Sequence, residues 1–121
     1  MESFEMLTVA ANALNNKKAR ELAAIKIDSV SDLADYFLIC TATSNTHVRA
    51  LADEVEEKLK AVGVLPDHIE GRSSDWILLD YGSLVVHVFG RQSREFYSLD
   101  RMWNDGEQID LEQILESAME E

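Results

Sequence analysis

The stretch Trp76-Ile77-Leu78-Leu79-Asp80-Tyr81-Gly82-Ser83-Leu84-Val85-Val86-His87-Val88-Phe89 decides the fold. Two apolar runs flank Gly82-Ser83, and a glycine opening a two-residue loop is the mark of a type II′ hairpin turn. That turn sets the register: Tyr81 faces Leu84, Leu79 faces Val86 and Ile77 faces Val88. Side chains alternate along a strand with period two, so these six residues share one face, and all are apolar. The opposite face carries Trp76, Leu78, Asp80, Val85, His87 and Phe89. The first face is read as core and the second as apolar surface broken by an acid and an imidazole. That second face is either a recognition surface or one covered by a helix, such as a helix bearing Phe96 and Trp103. Asp80 weighs toward recognition, because an acid in the middle of a covered face needs a partner.

Toward the N-terminus, Pro66 forces a break and His68-Ile69-Glu70 reads as a short edge strand. Before it, Val48, Leu51, Ala52, Val55, Leu59 and Val62 form one helical stripe, with Ser44 or Asn45 as cap and Gly63 as stop. Tyr36-Phe37-Leu38-Ile39-Cys40 is apolar on both faces, as in a strand covered on both sides. Asp28-Ser29 and Ser31-Asp32 bracket a turn after a strand over Leu22–Ile27. Phe4, Leu7, Ala11 and Leu14 predict a first helix, ended by Asn15-Asn16-Lys17-Lys18.

Toward the C-terminus, Phe96, Leu99 and Trp103 predict a helix over Ser93–Trp103, ending near Asn104-Asp105-Gly106. Asp110 opens a final helix with Gln113 placed for a capping box, Ile109 and Ile114 for a hydrophobic staple, and Leu111, Ile114, Leu115 and Ala118 as its stripe. The sum is an α/β fold: a single domain built on a mixed sheet of about five strands flanked by helices.

Composition limits the function. At 121 residues, 46% apolar and with one proline, the chain suits one compact domain that needs no disulfide or metal staple. The 23 acids against 11 bases leave a net charge of -12, which repels phosphate backbones and favours a basic protein surface as partner. A lone Cys40 cannot form an internal disulfide. Met1-Glu2-Ser3-Phe4-Glu5 lacks the features of a secretory signal and is too acidic for a transit peptide. The apolar runs at Tyr36–Cys40 and Leu84–Phe89 fall far short of the roughly 20 residues that span a bilayer. A soluble, cytoplasmic protein in its mature form is expected.

Few residues are arranged for chemistry. His47, His68 and His87 share no metal-ligand spacing and are read as structural or exposed histidines. Cys40, inside an apolar strand, is read as a small core residue, since burial blocks a thiol and raises its pKa. Thr41-Ala42-Thr43-Ser44-Asn45-Thr46 sits where α/β proteins often hold phosphate, yet it has neither glycine nor lysine, and helix capping explains its hydroxyls equally well. No strand carries the alternating acids of a two-metal transferase, and no nucleophile elbow or dinucleotide loop is present.

The run Asp35-Tyr36-Phe37-Leu38-Ile39-Cys40-Thr41-Ala42-Thr43-Ser44 and the pair Glu70-Gly71 precede Trp76-Ile77-Leu78-Leu79-Asp80-Tyr81-Gly82 and Val86-His87-Val88-Phe89. Arg94-Glu95-Phe96-Tyr97, Leu99-Asp100 and Trp103 follow. In this order they closely resemble the ribosomal silencing factor (Iojap-like) family, from about residue 4 to residue 105. The resemblance divides the chain into a silencing-factor domain, 1–105, and an acidic amphipathic helical extension, 106–121.

The resemblance implies an α/β fold related to nucleotidyltransferases, with neither enzymatic activity nor cofactor. It also implies binding to ribosomal protein L14, a basic protein on the large-subunit face that meets the small subunit. Occupying that face blocks subunit joining and represses translation when nutrients are scarce; large-subunit maturation is a related role, and free members are often homodimers. Residue by residue, Trp76 matches the family's aromatic anchor, and Leu78, Asp80 and Tyr81 match the strand around it. Tyr81, however, points the other way in the hairpin register above. Glu70, His87, Arg94, Tyr97 and Asp100 also match family positions, and for each a core role stands beside the partner-binding one. The rivals are a diminished magnesium-dependent nucleotidyltransferase using Asp32, Asp35 or Asp80, and a dimeric scaffold, either one acting in large-subunit maturation or one whose C-terminal helix holds a partner outside the ribosome.

Overall fold

The structure, a computed structural model, describes residues 2–27, 34–71, 75–90 and 107–115. In chain order the elements are helix α1 (Ser3–Asn16), strands β1 (Arg20–Lys26) and β2 (Tyr36–Thr41), helix α2 (Asn45–Ala61), and strands β3 (His68–Glu70), β4 (Trp76–Asp80), β5 (Leu84–Phe89) and β6 (Glu107–Gln108). A single 3₁₀ turn, Leu111–Gln113, follows. The strands form one mixed sheet in the order β3-β4-β5-β2-β1-β6, in which β2 and β5 run parallel and every other pair antiparallel.

The hairpin closes in the expected register. Ile77 pairs with Val88 and Leu79 with Val86, and the Tyr81 N–H donates to the Leu84 carbonyl at 2.9 Å. Gly82 sits at φ +84°, a conformation that costs a residue with a Cβ. The Asp80 carboxylate accepts the Gly82 N–H at 2.8 Å and so locks the turn from the preceding strand.

The six inward residues of the hairpin join Leu38 and Cys40 of β2 under both helices, where Leu7, Leu14, Leu51, Val55 and Leu59 complete the main core. Ser44 caps α2, its Oγ accepting the His47 N–H at 3.1 Å, and Gly63 at φ +87° follows the helix end. Helix α1 buries a stripe made by Met6, Leu7, Ala10, Ala11, Ala13 and Leu14. Phe4, expected on that stripe, lies out at the first turn, 45% exposed, and meets Tyr36 edge to face.

Two expectations need correcting. The sheet has six strands rather than about five, because Glu107 and Gln108 pair with Lys26 and Ile25. Such a pairing is made by backbone groups, so no apolar alternation announces it. Asp110 does cap the next segment, but its Oδ1 accepts the Glu112 N–H at 3.0 Å and a single 3₁₀ turn follows in place of the expected helix start. Ile109, Leu111, Ile114 and Leu115 nevertheless pack on the main core, and the Asn12 amide donates to the Ile114 carbonyl at 2.9 Å. The expected turn at Asp28–Asp32, the Ser93–Trp103 helix and the end of the final helix lie outside the described residues. No helix among the described residues is long and apolar enough to cross a membrane.

Candidate partner-binding face

The sheet face away from the helices is laid out in rows by cross-strand pairing. One row runs Glu70, Leu78, His87, Ile39; a second runs His68, Asp80, Val85, Phe37, Ile25; a third runs Trp76, Phe89, Thr41. Burial falls along each row toward the β3 edge. Ile25, Ile39 and Phe89 are fully buried with Ile27 and Ala34 in a second, smaller core, and His87 is 4% exposed. Trp76, Leu78 and Asp80 are partly exposed, and His68 and Glu70 are exposed. An apolar interior thus grades into an acidic edge with a tryptophan and a leucine between them.

Trp76 is held by an aromatic layer. Its indole stacks on Phe89 with centroids 5.4 Å apart and on His87 at 6.0 Å, while Phe37 meets His87 edge-on at 4.9 Å. The indole Nε1–H donates to His87 Nδ1 at 3.3 Å. Burial pushes the His87 pKa down to about 4, because charging the ring there would forfeit its hydration. Beside Trp76, a notch of about 150 Å³ is lined by Glu70, Gly71, Trp76 and Leu78.

His68 lies between two acids, its Nε2 3.4 Å from Glu70 Oε1 and its Nδ1 3.5 Å from Asp80 Oδ2. Sequence reasoning missed this histidine as a member of the face. The available signal was antiparallel pairing of the edge strand with the hairpin, which sets His68 opposite Asp80. Asp80 itself is satisfied locally, by the Gly82 N–H and His68, so its presence on this face does not require an outside partner.

Of the matched positions, the structure brings Trp76, Leu78, Asp80 and Glu70 together on one partly open surface, with His87 buried beside them. Tyr81 is not among them: it is 7% exposed within the helix-side core, as the register required. Arg94, Tyr97 and Asp100, like Asp32, lie outside the described residues.

The remaining candidates are structural. His47 accepts the Thr43 N–H on Nδ1 at 2.9 Å and meets the Lys17 carbonyl with Nε2 at 2.8 Å, which assigns the Nε2–H tautomer and ties the α2 entry to the α1 exit. Cys40 is fully buried. A cavity of about 600 Å³ at the end of β2 is lined by Arg20, Glu21, Thr41, Ala42 and Thr43. Among the described residues no three His, Cys, Asp or Glu side chains converge as metal ligands.

Comparison with known proteins agrees with this architecture. A crystal structure of a Chromobacterium violaceum protein superposes with a TM-score of 0.83 at 33% identity, covering 86% of this chain and 88% of that one. A Bacillus halodurans crystal structure gives a TM-score of 0.79 at 33% identity, covering 89% and 99%. The ribosomal silencing factors of Halalkalibacterium halodurans and Bacillus subtilis are each 35% identical, over 95% and 93% of this chain and 99% and 96% of their own lengths. A mouse protein named for mitochondrial assembly of the ribosomal large subunit is 29% identical over 80% of this chain and 44% of its own length. The family model described as "ribosomal silencing factor during starvation" matches residues 1–121, and the chain belongs to that family.

Proposed function

We propose that this protein binds the large ribosomal subunit through ribosomal protein L14 and sterically blocks the small subunit from joining, which represses translation. The reading is non-enzymatic and needs no cofactor: a contact of ordinary size, ~1,600 Å² in total, suffices to occlude a surface. The observation that carries it is the graded face, where partly exposed Trp76 and Leu78 stand beside Glu70 and Asp80 on a chain of net charge -12. Aromatic anchors at the dry centre of a contact supply most of its energy, and acids at the rim speed encounter with a basic partner. Trp76, Leu78, Asp80 and Glu70 make the contact in this reading. His87 and Tyr81 support it from inside the sheet, and Arg94, Tyr97 and Asp100, matched by sequence alone, are assigned to partner binding in the same reading. The free protein is a homodimer and acts in the cytoplasm.

The test is co-sedimentation with separated ribosomal subunits followed by a subunit-joining assay. Co-migration with the large subunit alone and fewer joined ribosomes are expected, and Trp76→Ala should weaken binding by at least ~2 kcal/mol, roughly 30-fold. A folded Trp76→Ala variant that binds as well as wild type would remove the anchor. Binding to neither subunit would leave the family likeness reporting fold alone, and a saturable nucleotide response with magnesium would then favour the transferase rival.

A further inference from the structure

His87 spends one of its two ring nitrogens on a neighbouring side chain. Its Nδ1 accepts the Trp76 indole N–H at 3.3 Å, so the neutral ring must hold its proton on Nε2. That Nε2 is buried and finds no hydrogen-bond partner among the described residues. A phenylalanine would fill the same aromatic layer, between Phe37 and Phe89. What phenylalanine could not do is accept a hydrogen bond.

Stacking on Phe89 and His87 sets the plane of the Trp76 ring, but a half-turn about χ2 would keep that plane and exchange the two edges of the indole. An indole has one donor, and fixing that donor fixes the turn. Leu78 and Glu70 line the notch beside Trp76, so the shape of the notch depends on where the indole edge rests. We infer that His87 is a positioning residue of the docking face, which by accepting the Trp76 N–H from the neighbouring strand holds the indole in the orientation that meets the partner. This rests on Trp76 being the anchor proposed above. A ring already ordered in the free protein loses less entropy on docking, so the gain appears as affinity.

Two readouts test it. In the free protein, ¹⁵N spectra of the His87 ring should show the Nε2–H tautomer, and the Trp76 indole N–H should be shifted downfield and protected from exchange. Its resonance is assigned against Trp103→Phe. His87→Phe should keep the cooperative fold, lose the shift and protection, and weaken binding to purified large subunits roughly tenfold, the factor for one lost hydrogen bond. His87→Asn, whose Oδ1 takes the place of Nδ1, should recover both. An Nδ1–H tautomer in the wild type overturns the inference whether or not the variants fold. Full affinity in a folded His87→Phe variant overturns it as well, and Trp76→Ala in the same assay separates the causes. Weakened binding in Trp76→Ala alone spares the docking reading, whereas wild-type binding in both removes that reading too.

Discussion

The two faces of one hairpin are buried to different degrees. On the helix side, Ile77, Leu79, Tyr81, Leu84, Val86 and Val88 are all between 0% and 7% exposed and belong to one core. On the other side, residues one position away run from fully buried Phe89 through His87 to partly exposed Trp76, Leu78 and Asp80. Chain position and strand propensity are shared, so the difference lies in what each face packs against. A closed face returns its buried area as stability. A graded one leaves part of that area open to solvent, which is the area the proposed contact would use.

The sharpest way to break this contrast is a pair of neighbouring truncations. Leu79→Ala opens a cavity under the helices and should cost about 4 kcal/mol by chemical denaturation. Leu78→Ala, on a partly exposed side chain, should cost less than half of that and instead weaken large-subunit binding. Equal stability losses, or equal binding losses, would mean that the two faces do the same work.

A second test uses the one deeply buried imidazole. The His87 pKa is about 4 in the fold, against about 6.5 for a free ring. The unfolded chain therefore takes up a proton that the folded chain refuses as pH falls. The stability tied to neutral His87 is fully present above about pH 6.5, drains away down to about pH 4 and then levels off. The drop amounts to about 3 kcal/mol. His87→Asn should lose that slope in pH-dependent urea unfolding, whatever its constant offset.

Trp76 follows, with an expected binding loss of about 2 kcal/mol on truncation and a smaller one in Trp76→Phe, which keeps the stack on Phe89 but not the N–H. Salt distinguishes this anchor from the rim. Raising ionic strength should slow association of wild type and Trp76→Phe alike, because an aromatic anchor acts on dissociation and acids act on encounter.

Much of the molecule was legible before the structure because its signals are local. The Gly82 turn set the register, the α2 stripe and its Ser44 cap set the helix, and the parity of Tyr81 against Trp76 already placed them on opposite faces. What stayed hidden depends on pairing between distant segments. Glu107 and Gln108 join the sheet through backbone groups, which leave no side-chain pattern. His68 enters the candidate site only through the β3–β4 register, and the Trp76–His87 hydrogen bond depends on rotamers that no spacing encodes. Asp80 misled in a physical sense: an acid on a half-covered face needs partners, but a turn amide and an edge histidine can supply them.

Asp80 gives the smallest effect and the finest test, because one side chain serves both purposes. One oxygen accepts the Gly82 N–H, and the other faces His68 on the exposed edge. Asp80→Ala loses the turn bond and should destabilise by about 1 kcal/mol. Asp80→Asn retains an acceptor for Gly82 and should lose less than half as much. If Asp80 also steers a basic partner, both variants should associate more slowly than wild type by a similar factor, and the gap should close at high salt, where exposed charge is screened. An Asn variant that associates as fast as wild type at low salt would make Asp80 a turn residue only. The steering would then pass to Glu70, the other matched acid of the face.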